Sequence, residues 1–311
     1  MSTRTIDCQF AGRPELAAAY LLTSGDQAAF FDTNTAHAVP HLLAALAEAG
    51  LRPEQVRWIA VSHVHLDHGS GAARLAACCP DATVVCHPRA ARHLSDPSRL
   101  EQSARAVYGD EVFLQVYGSL QPIPEARVRP VAEGEVLSLG DRSLRVLHTR
   151  GHANHHLCLH DEVRRELFTG DAFGLCYPFL QEGRLPLVSS SPTDFDPAAA
   201  RETLARLVGT GATRALLAHF GAIGELPAVA SSLAAQLDDL EALLNEAIGL
   251  ATDDGFEAFC LARIDRIFDR AAQRAGLTLT PADRDFLRFD GRLDAQGVAL
   301  AARRRREGGR T

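Results

Sequence analysis

Apolar and polar positions along the chain divide into a strand-rich first part and a helical remainder. Residues 16–23 and 28–32 are two short apolar runs split by Ser24-Gly25-Asp26-Gln27, the pattern of a β-hairpin. Between 39 and 49, Leu42, Leu43, Leu46 and Ala47 recur at helical spacing. Pro40 falls in the first turn and Gly50 stops the pattern, which predicts a surface helix. Residues 56–62, with Trp58, Ile59 and Val61, predict a short buried strand that runs straight into His63. A helix over 71–78, a strand over 82–87 and a helical stretch between Pro88 and Tyr108 follow. Strands then return at 128–131, 136–139, 144–149, 156–160 and 166–169. A helix at 198–208 leads to a strand at 214–218 that ends on His219. From residue 226 helix formers dominate, giving helices at 226–250, 256–275, 281–289 and 294–306, punctuated by Gly255, Gly276 and Gly291. Two packed sheets with helices outside, an α+β fold, are expected over residues 1–225, and a helical appendage over 226–311.

Composition narrows the class. With 311 residues, 46% of them hydrophobic and 23% charged, the chain has material for a sizeable core. Charged residues or glycine interrupt every apolar run before it reaches the roughly 20 residues of a membrane span. The first residues, Met-Ser-Thr-Arg-Thr-Ile-Asp-Cys, hold no apolar signal core, so a cytoplasmic location is expected. Seven cysteines, an odd count without C-x-x-C spacing, argue against a disulfide framework or a zinc knuckle. All 32 basic residues are arginine, yet the net charge is −7, which gives nucleic acid and anionic membranes nothing global to bind. The run Arg303 to Arg306 reads as a solvated tail.

Chemistry concentrates at strand ends. His63-Val64-His65-Leu66-Asp67-His68-Gly69 sets four ligand-type side chains within six residues, on a loop after an apolar strand. Two imidazoles one residue apart can face one metal while the carboxylate and third imidazole turn toward a neighbour, and a core could not satisfy so many polar groups cheaply. Three more strands end on ligand types: Gly151-His152, Gly170-Asp171 and Ala218-His219.

In order, spacing and context these elements resemble the metallo-β-lactamase superfamily, over about residues 16–221. The resemblance implies a four-layer αβ/βα sandwich, with His63, His65 and His152 on a first metal, Asp67, His68 and His219 on a second, and Asp171 bridging them. Asp32, in Phe30-Phe31-Asp32-Thr33-Asn34, matches the family's early Asp-Thr-Gly element with Asn34 replacing glycine; there it orients the ligand loop. His155 and His156 are expected in the substrate pocket or behind the ligands. His37, His41, His87, His93, His148 and His160 match no family position and read as surface or packing residues.

The cofactors so implied are two divalent ions, zinc first, with iron, manganese or nickel also compatible with such ligands. Two ions roughly 3.5–4 Å apart activate water and polarise an acyl or phosphoryl oxygen. Asp67 and His219 are the expected catalytic groups. A carboxylate at 171, where the antibiotic-hydrolysing branch carries Cys or Ser, points instead to a small ester-like substrate such as a thioester or lactone, although the tyrosine of the lactonases three residues later is here Gly174. A second reading is a mononuclear iron persulfide oxygenase using His63, His152 and Asp171; a third is a binding protein with a degenerate site. The apolar stretch 173–191 is expected to wall the pocket or to pack on the helices, and Ser189 to Asp194 to lead into the helix after Pro197 as its N-cap. The stripe Phe256, Phe259, Ile264, Ile267 and Phe268 could pack internally or support a homodimer.

Overall fold

The computed structural model describes residues 1–191, 193–250 and 255–308, and the chain divides into two compact units. Met1–His148, His155–Gly170 and Ala212–Gly224 make the first; Thr149–Asn154, Asp171–Gly211 and the chain from Glu225 onward make the second.

The first unit opens with β1 (Ser2–Asp7), β2 (Ala18–Ser24) and β3 (Gln27–Phe31), then α1 (Val39–Glu48), β4 (Val56–Ala60), α2 (Leu66–Gly69), α3 (Ala72–Cys78) and β5 (Thr83–Cys86). Three helices, α4 (Ala91–Ser95), α5 (Ser98–Tyr108) and α6 (Asp110–Val116), precede β6 (Val128–Pro130). The strands β7 (Val136–Leu139), β8 (Arg142–Thr149), β9 (His156–Asp161), β10 (Glu166–Gly170), β11 (Arg214–Leu217) and β12 (Gly221–Ile223) complete it. One six-stranded sheet runs β1-β2-β3-β4-β5-β6 and the other β12-β11-β10-β9-β8-β7. Both mix parallel and antiparallel pairs, β3, β4, β5 and β6 being parallel to one another.

Side-chain alternation explains the layers. Ala18, Tyr20, Leu22, Ala29 and Phe31 of the first sheet meet Leu144, Val146, Leu157, Phe168 and Leu216 of the second in one core. Their neighbours Ala19, Leu21, Ala28 and Phe30 point the other way, against Leu42, Leu46, Leu75 and Ala76 of α1 and α3. The first sheet is thus buried on both faces, which is why its strands read as continuous apolar runs. The α+β sandwich expected from the pattern is present.

Some elements differ from expectation. β1 is a polar edge strand paired to β2, and β12 is only three residues long. The core also contains a charge: Arg142, fully buried, donates from Nε to Asp161 at 2.7 Å, from Nη2 to the Thr3 hydroxyl at 2.9 Å and from Nη1 to the Ser2 carbonyl at 2.5 Å. These bonds pin β1 to β8 and β9, and they satisfy a guanidinium that would otherwise be costly to desolvate.

The second unit comprises α7 (Pro197–Gly209), α8 (Leu226–Ile248), α9 (Phe256–Arg274) and α10 (Pro281–Gly308), with the segment that follows Asp171. Residues 251–254 and 309–311 of the expected helical region lie outside the described residues, as does Pro192 of the Ser189 to Asp194 run. The cap of α7 is Asp196, whose carboxylate accepts from the Ala198 and Ala199 N–H groups at 3.0 and 3.1 Å, with Pro197 in the first turn. This corrects the expectation of a cap within Ser189 to Asp194, where Asp194 accepts instead from the Asn154 N–H at 3.1 Å.

Gly291 does not end a helix: α10 continues through it, so residues 281–289 and 294–306 form one element. A Cβ at 291 would lie 3.4 Å from the Phe268 ring, which makes this glycine a point of close helix approach. Gly297 is tighter still, its Cβ position being 1.6 Å from the Ser190 carbonyl oxygen. Four members of the apolar stripe of α9, Phe256, Ile264, Ile267 and Phe268, are buried, and α9 packs on α8 and α10. The apolar 173–191 stretch is pinned within this unit by the Leu175–Leu187 bridge and by Gln236, which donates to the Pro186 carbonyl at 2.8 Å and accepts from the Val188 N–H at 3.1 Å. Among the described residues no helix is long and apolar enough to cross a membrane.

Candidate metal centre

In the first unit the candidate ligands gather at the ends of neighbouring strands. β3 and β4 run parallel, so the chain leaves both on the same side, at Asp32 and at Ser62-His63. The Asp32 carboxylate accepts from the Ser62 N–H at 2.8 Å, the Ser62 hydroxyl at 2.9 Å and His68 Nδ1 at 3.1 Å. Asp32 therefore orients the ligand loop, the role its position suggested. Asn34 donates to the Asp67 carbonyl at 2.9 Å, and the Thr33 hydroxyl to that of His68 at 2.9 Å. Gly71 is required for close approach: a Cβ there would stand 2.6 Å from the Thr35 carbonyl oxygen and 2.7 Å from that of Thr33.

These contacts settle which nitrogen each imidazole offers. The single hydroxyl proton of Ser62 goes to Asp32, so its oxygen accepts from His63 Nδ1–H at 3.0 Å. His68 Nδ1–H donates to Asp32, and His219 Nδ1–H donates to the Leu16 carbonyl at 2.9 Å. In all three rings the lone pair is left on Nε2. Anchoring one ring nitrogen so that the other can ligate is how proteins prepare metal-binding histidines.

His68 Nε2 lies 3.7 Å from Asp67 Oδ1 and His219 Nε2 lies 3.3 Å from Asp67 Oδ2. One ligand atom from each of Asp67, His68 and His219 can be chosen so that all lie within 4.8 Å of one another, the span of a metal site. The His63 and His65 rings are 4.4 Å apart, and His63 and His68 4.1 Å. The donor set of imidazoles and carboxylate fits a borderline divalent ion.

The second unit carries the other two expected ligands. His152 Nε2 lies 3.5 Å from Asp171 Oδ2, and both side chains are buried. Gly151 brings the His152 turn against α7, since a Cβ at 151 would meet the Ala200 backbone nitrogen at 2.3 Å.

His156 is buried with its ring 4.9 Å from that of His63, and His155 stacks on His63 at 6.1 Å. Gly170, at φ +48°, is where a Cβ would stand 2.7 Å from His156 Nε2 and 2.8 Å from the Ser62 hydroxyl oxygen. Among the other histidines, His87 and His148 pair at 4.2 Å, and burial followed by the His148 ring pushes His87 down to about 4. Sequence reasoning missed Tyr108 and Tyr117. Burial raises the pKa of both phenols, and the Asp67 carboxylate raises both further. No local motif marks them: Tyr108 ends α5, Tyr117 follows α6, and both pack in the cluster around Leu66.

Residues 12–219 match the family model described as the metallo-beta-lactamase superfamily. Among curated proteins, the acyl-coenzyme A thioesterase MBLAC2 of Gallus gallus is 51% identical over 47 residues, 14% of this chain and 17% of that protein. The match therefore spans under a fifth of that relative. Among solved structures, ST1585 from Sulfolobus tokodaii, described as an archaeal metallo-beta-lactamase superfamily protein, superposes with a TM-score of 0.66 at 20% identity, over 96% of this chain and 98% of the other. The metallo-beta-lactamase family protein TTHA1429 from Thermus thermophilus gives 0.61 at 24%, over 93% of each chain. Two packed mixed sheets, metal-ready imidazoles at the strand ends and a family match over two-thirds of its length make this chain a member of the metallo-beta-lactamase superfamily.

Proposed function

We propose that the chain is a metal-dependent hydrolase of a small ester-like bond, with thioesters ahead of lactones, and that His63, His65, Asp67, His68, His152, Asp171 and His219 hold two divalent ions, zinc first. The observation that carries the metal reading is the shared orientation of His63, His68 and His219, each with Nδ1–H committed to an internal acceptor. Ser62 and Asp32, hydrogen-bonded to each other, and Leu16 from a separate segment each take one Nδ1–H, which supports that reading. The short match to an acyl-coenzyme A thioesterase supports the choice of thioester.

Divalent ions at these positions supply Lewis acidity, polarising an acyl carbonyl and acidifying water. The chain's own part is to hold the ligands and to handle the proton. Asp67, 28% exposed where the His68 and His219 side chains are 1% and 8%, is the acceptor on the open side and takes the proton from the attacking water. His219, held by Leu16 through Nδ1, turns Nε2 toward the same side and shares the catalytic role. The substrate is a small molecule.

Purified protein loaded with metal is expected to hydrolyse members of a thioester and lactone panel, to carry two ions per chain and to lose activity on His65→Ala. Inactivity across the panel with both ions bound overturns the reading. One iron per chain with oxygen uptake on a persulfide substrate replaces it with the oxygenase.

A further inference from the structure

In the second unit the segment 186–190, which precedes α7, is gripped by two helices. From α8, Gln236 donates to the Pro186 carbonyl at 2.8 Å and accepts from the Val188 N–H at 3.1 Å. From α10, the Asp294 carboxyl accepts from the Ser190 N–H at 2.6 Å, and the Ser190 hydroxyl donates to the Asp294 carbonyl at 3.4 Å. Gly297, three residues further along α10, lets the helix backbone lie on Ser190, since a Cβ there would stand 1.6 Å from the Ser190 carbonyl oxygen. Asp294 and Ser190 are both buried, so their bond forms out of water, where an unpaired N–H is costly.

The Ser190 N–H belongs to the same peptide unit as the Ser189 carbonyl, and in a planar trans peptide the two point in opposite directions. At the far end of that unit stands a candidate metal ligand: His152 Nδ1 lies 3.5 Å from the Ser189 carbonyl oxygen. A carbonyl only accepts, so the ring proton sits on Nδ1 and the lone pair on Nε2, which lies 3.5 Å from Asp171 Oδ2. His152 thus repeats the arrangement of His63, His68 and His219. Its acceptor differs in being one end of a peptide whose other end is held by Asp294.

We propose that Asp294 is a positioning residue for His152: by accepting from one end of the Ser189–Ser190 peptide it fixes the carbonyl at the other end, which holds the His152 proton on Nδ1 and leaves Nε2 to ligate. This deepens the metal reading and rests on it for the ion, whereas the orientation of the ring can be read without one. Only an acceptor oxygen is used at Asp294. Burial above all raises that carboxyl to about 8, so at neutral pH it is an uncharged acid and an amide can take its place.

The test uses the full chain as wild type, Asp294→Ala and Asp294→Asn, each also combined with His152→Ala. Competition with a chelator measures zinc affinity, and nitrogen-detected NMR of the zinc-free protein reads the His152 tautomer. Asp294→Ala is expected to weaken zinc about tenfold, the low end of what partners that orient metal-binding histidines contribute, while Asp294→Asn stays within about threefold of wild type. In Asp294→Ala the His152 ring is expected to show both tautomers while His219 keeps its Nδ1 proton. With His152 already replaced, Asp294→Ala is expected to make no further difference to zinc, because the two changes remove one shared effect. An equal zinc loss in both backgrounds overturns the proposal, as does a His152 ring that keeps its Nδ1 proton in Asp294→Ala, or an Asn variant no better than the Ala one. Should Asp294→Ala not fold, Asp294→Ser, which draws its oxygen back from the Ser190 N–H, is read in the same way. If wild type shows these effects yet hydrolyses no ester, the hydrolase reading falls and the Asp294 role stands. If wild type binds no zinc, the metal reading falls, and the His152 tautomer alone upholds or overturns the role of Asp294.

Discussion

Replacing Asp32 by asparagine tests the logic of the metal centre at a residue outside the proposed ligand set. Asp32 adopts φ +59°, a left-handed conformation that asparagine tolerates as well as aspartate, so the backbone is not the variable. The carboxylate accepts three hydrogen bonds, two from Ser62 and one from His68 Nδ1. An asparagine oxygen can keep the 2.8 Å bond from the Ser62 N–H, but its NH2 then faces the Ser62 hydroxyl and His68 Nδ1–H. Two donors now oppose each other at His68, and the ring relieves the conflict by moving its proton to Nε2, the nitrogen 3.7 Å from Asp67. That tautomer has no lone pair for a metal. Lost bonds to a charged acceptor are worth about 1.5–3 kcal/mol each. Partners that orient metal-binding histidines are worth about 10- to 100-fold in affinity. Asp32→Asn is therefore expected to weaken the ion at Asp67, His68 and His219 about 10- to 100-fold, with a metal-free stability loss of about 2–3 kcal/mol, on these grounds. Competition with a chelator measures the first, urea unfolding of metal-free protein the second, and nitrogen-detected NMR reports the His68 tautomer. Wild-type metal affinity, or a His68 ring that keeps its Nδ1 proton, refutes the reasoning.

Two further outcomes are expected. Gly170→Ala forces a Cβ to within 2.7 Å of His156 Nε2 at a φ of +48° and should cost about 2–4 kcal/mol in urea unfolding, from overpacking added to left-handed strain; a loss under about 1 kcal/mol would show that His156 and Ser62 move aside freely. Burial, with Asp290 adding to it, raises the Asp294 carboxyl to about 8, against the pull of the Ser190 N–H it accepts at 2.6 Å. The folded state thus keeps a proton that the unfolded chain releases near pH 4, and the group's contribution to stability is lost as pH rises from there to about 8. Asp294→Asn, which mimics the protonated acid, should gain on wild type between pH 5 and pH 8 in urea midpoint; an equal difference at both pH values would contradict it.

How much of this was legible in the sequence depends on where each feature's physical cause lies. The run His63 to His68 declares itself because four ligand-type side chains fall in one short loop, more than a core satisfies cheaply. Helices α8 and α9 do so because leucine, alanine and isoleucine recur at 3.6-residue spacing. β1 escapes because an edge strand is held by backbone pairing and presents a polar sequence, Ser-Thr-Arg-Thr-Ile-Asp, to solvent. Gly291 misleads because a glycine that ends a helix and one that lets two helices touch are the same letter, and only the Phe268 ring beside it separates the cases. Arg142 is hidden for a related reason: a guanidinium reads as surface until Asp161, Thr3 and the Ser2 carbonyl are seen around it.

The same limit applies at the site. Nδ1–H commitments come from Leu16, Asp32 and Ser62, as far as 203 positions from the rings they orient, so sequence names the candidate ligands without naming what aims them. Leu66, an apolar residue between two ligand-type residues, gives the inserted helices something to pack on. A chain with the same ligand run and a different insertion would keep the candidate metal donors and surround them with other side chains. The candidate ligands are therefore read from a local run, whereas what packs on Leu66 is written some forty residues away, in α5 and α6.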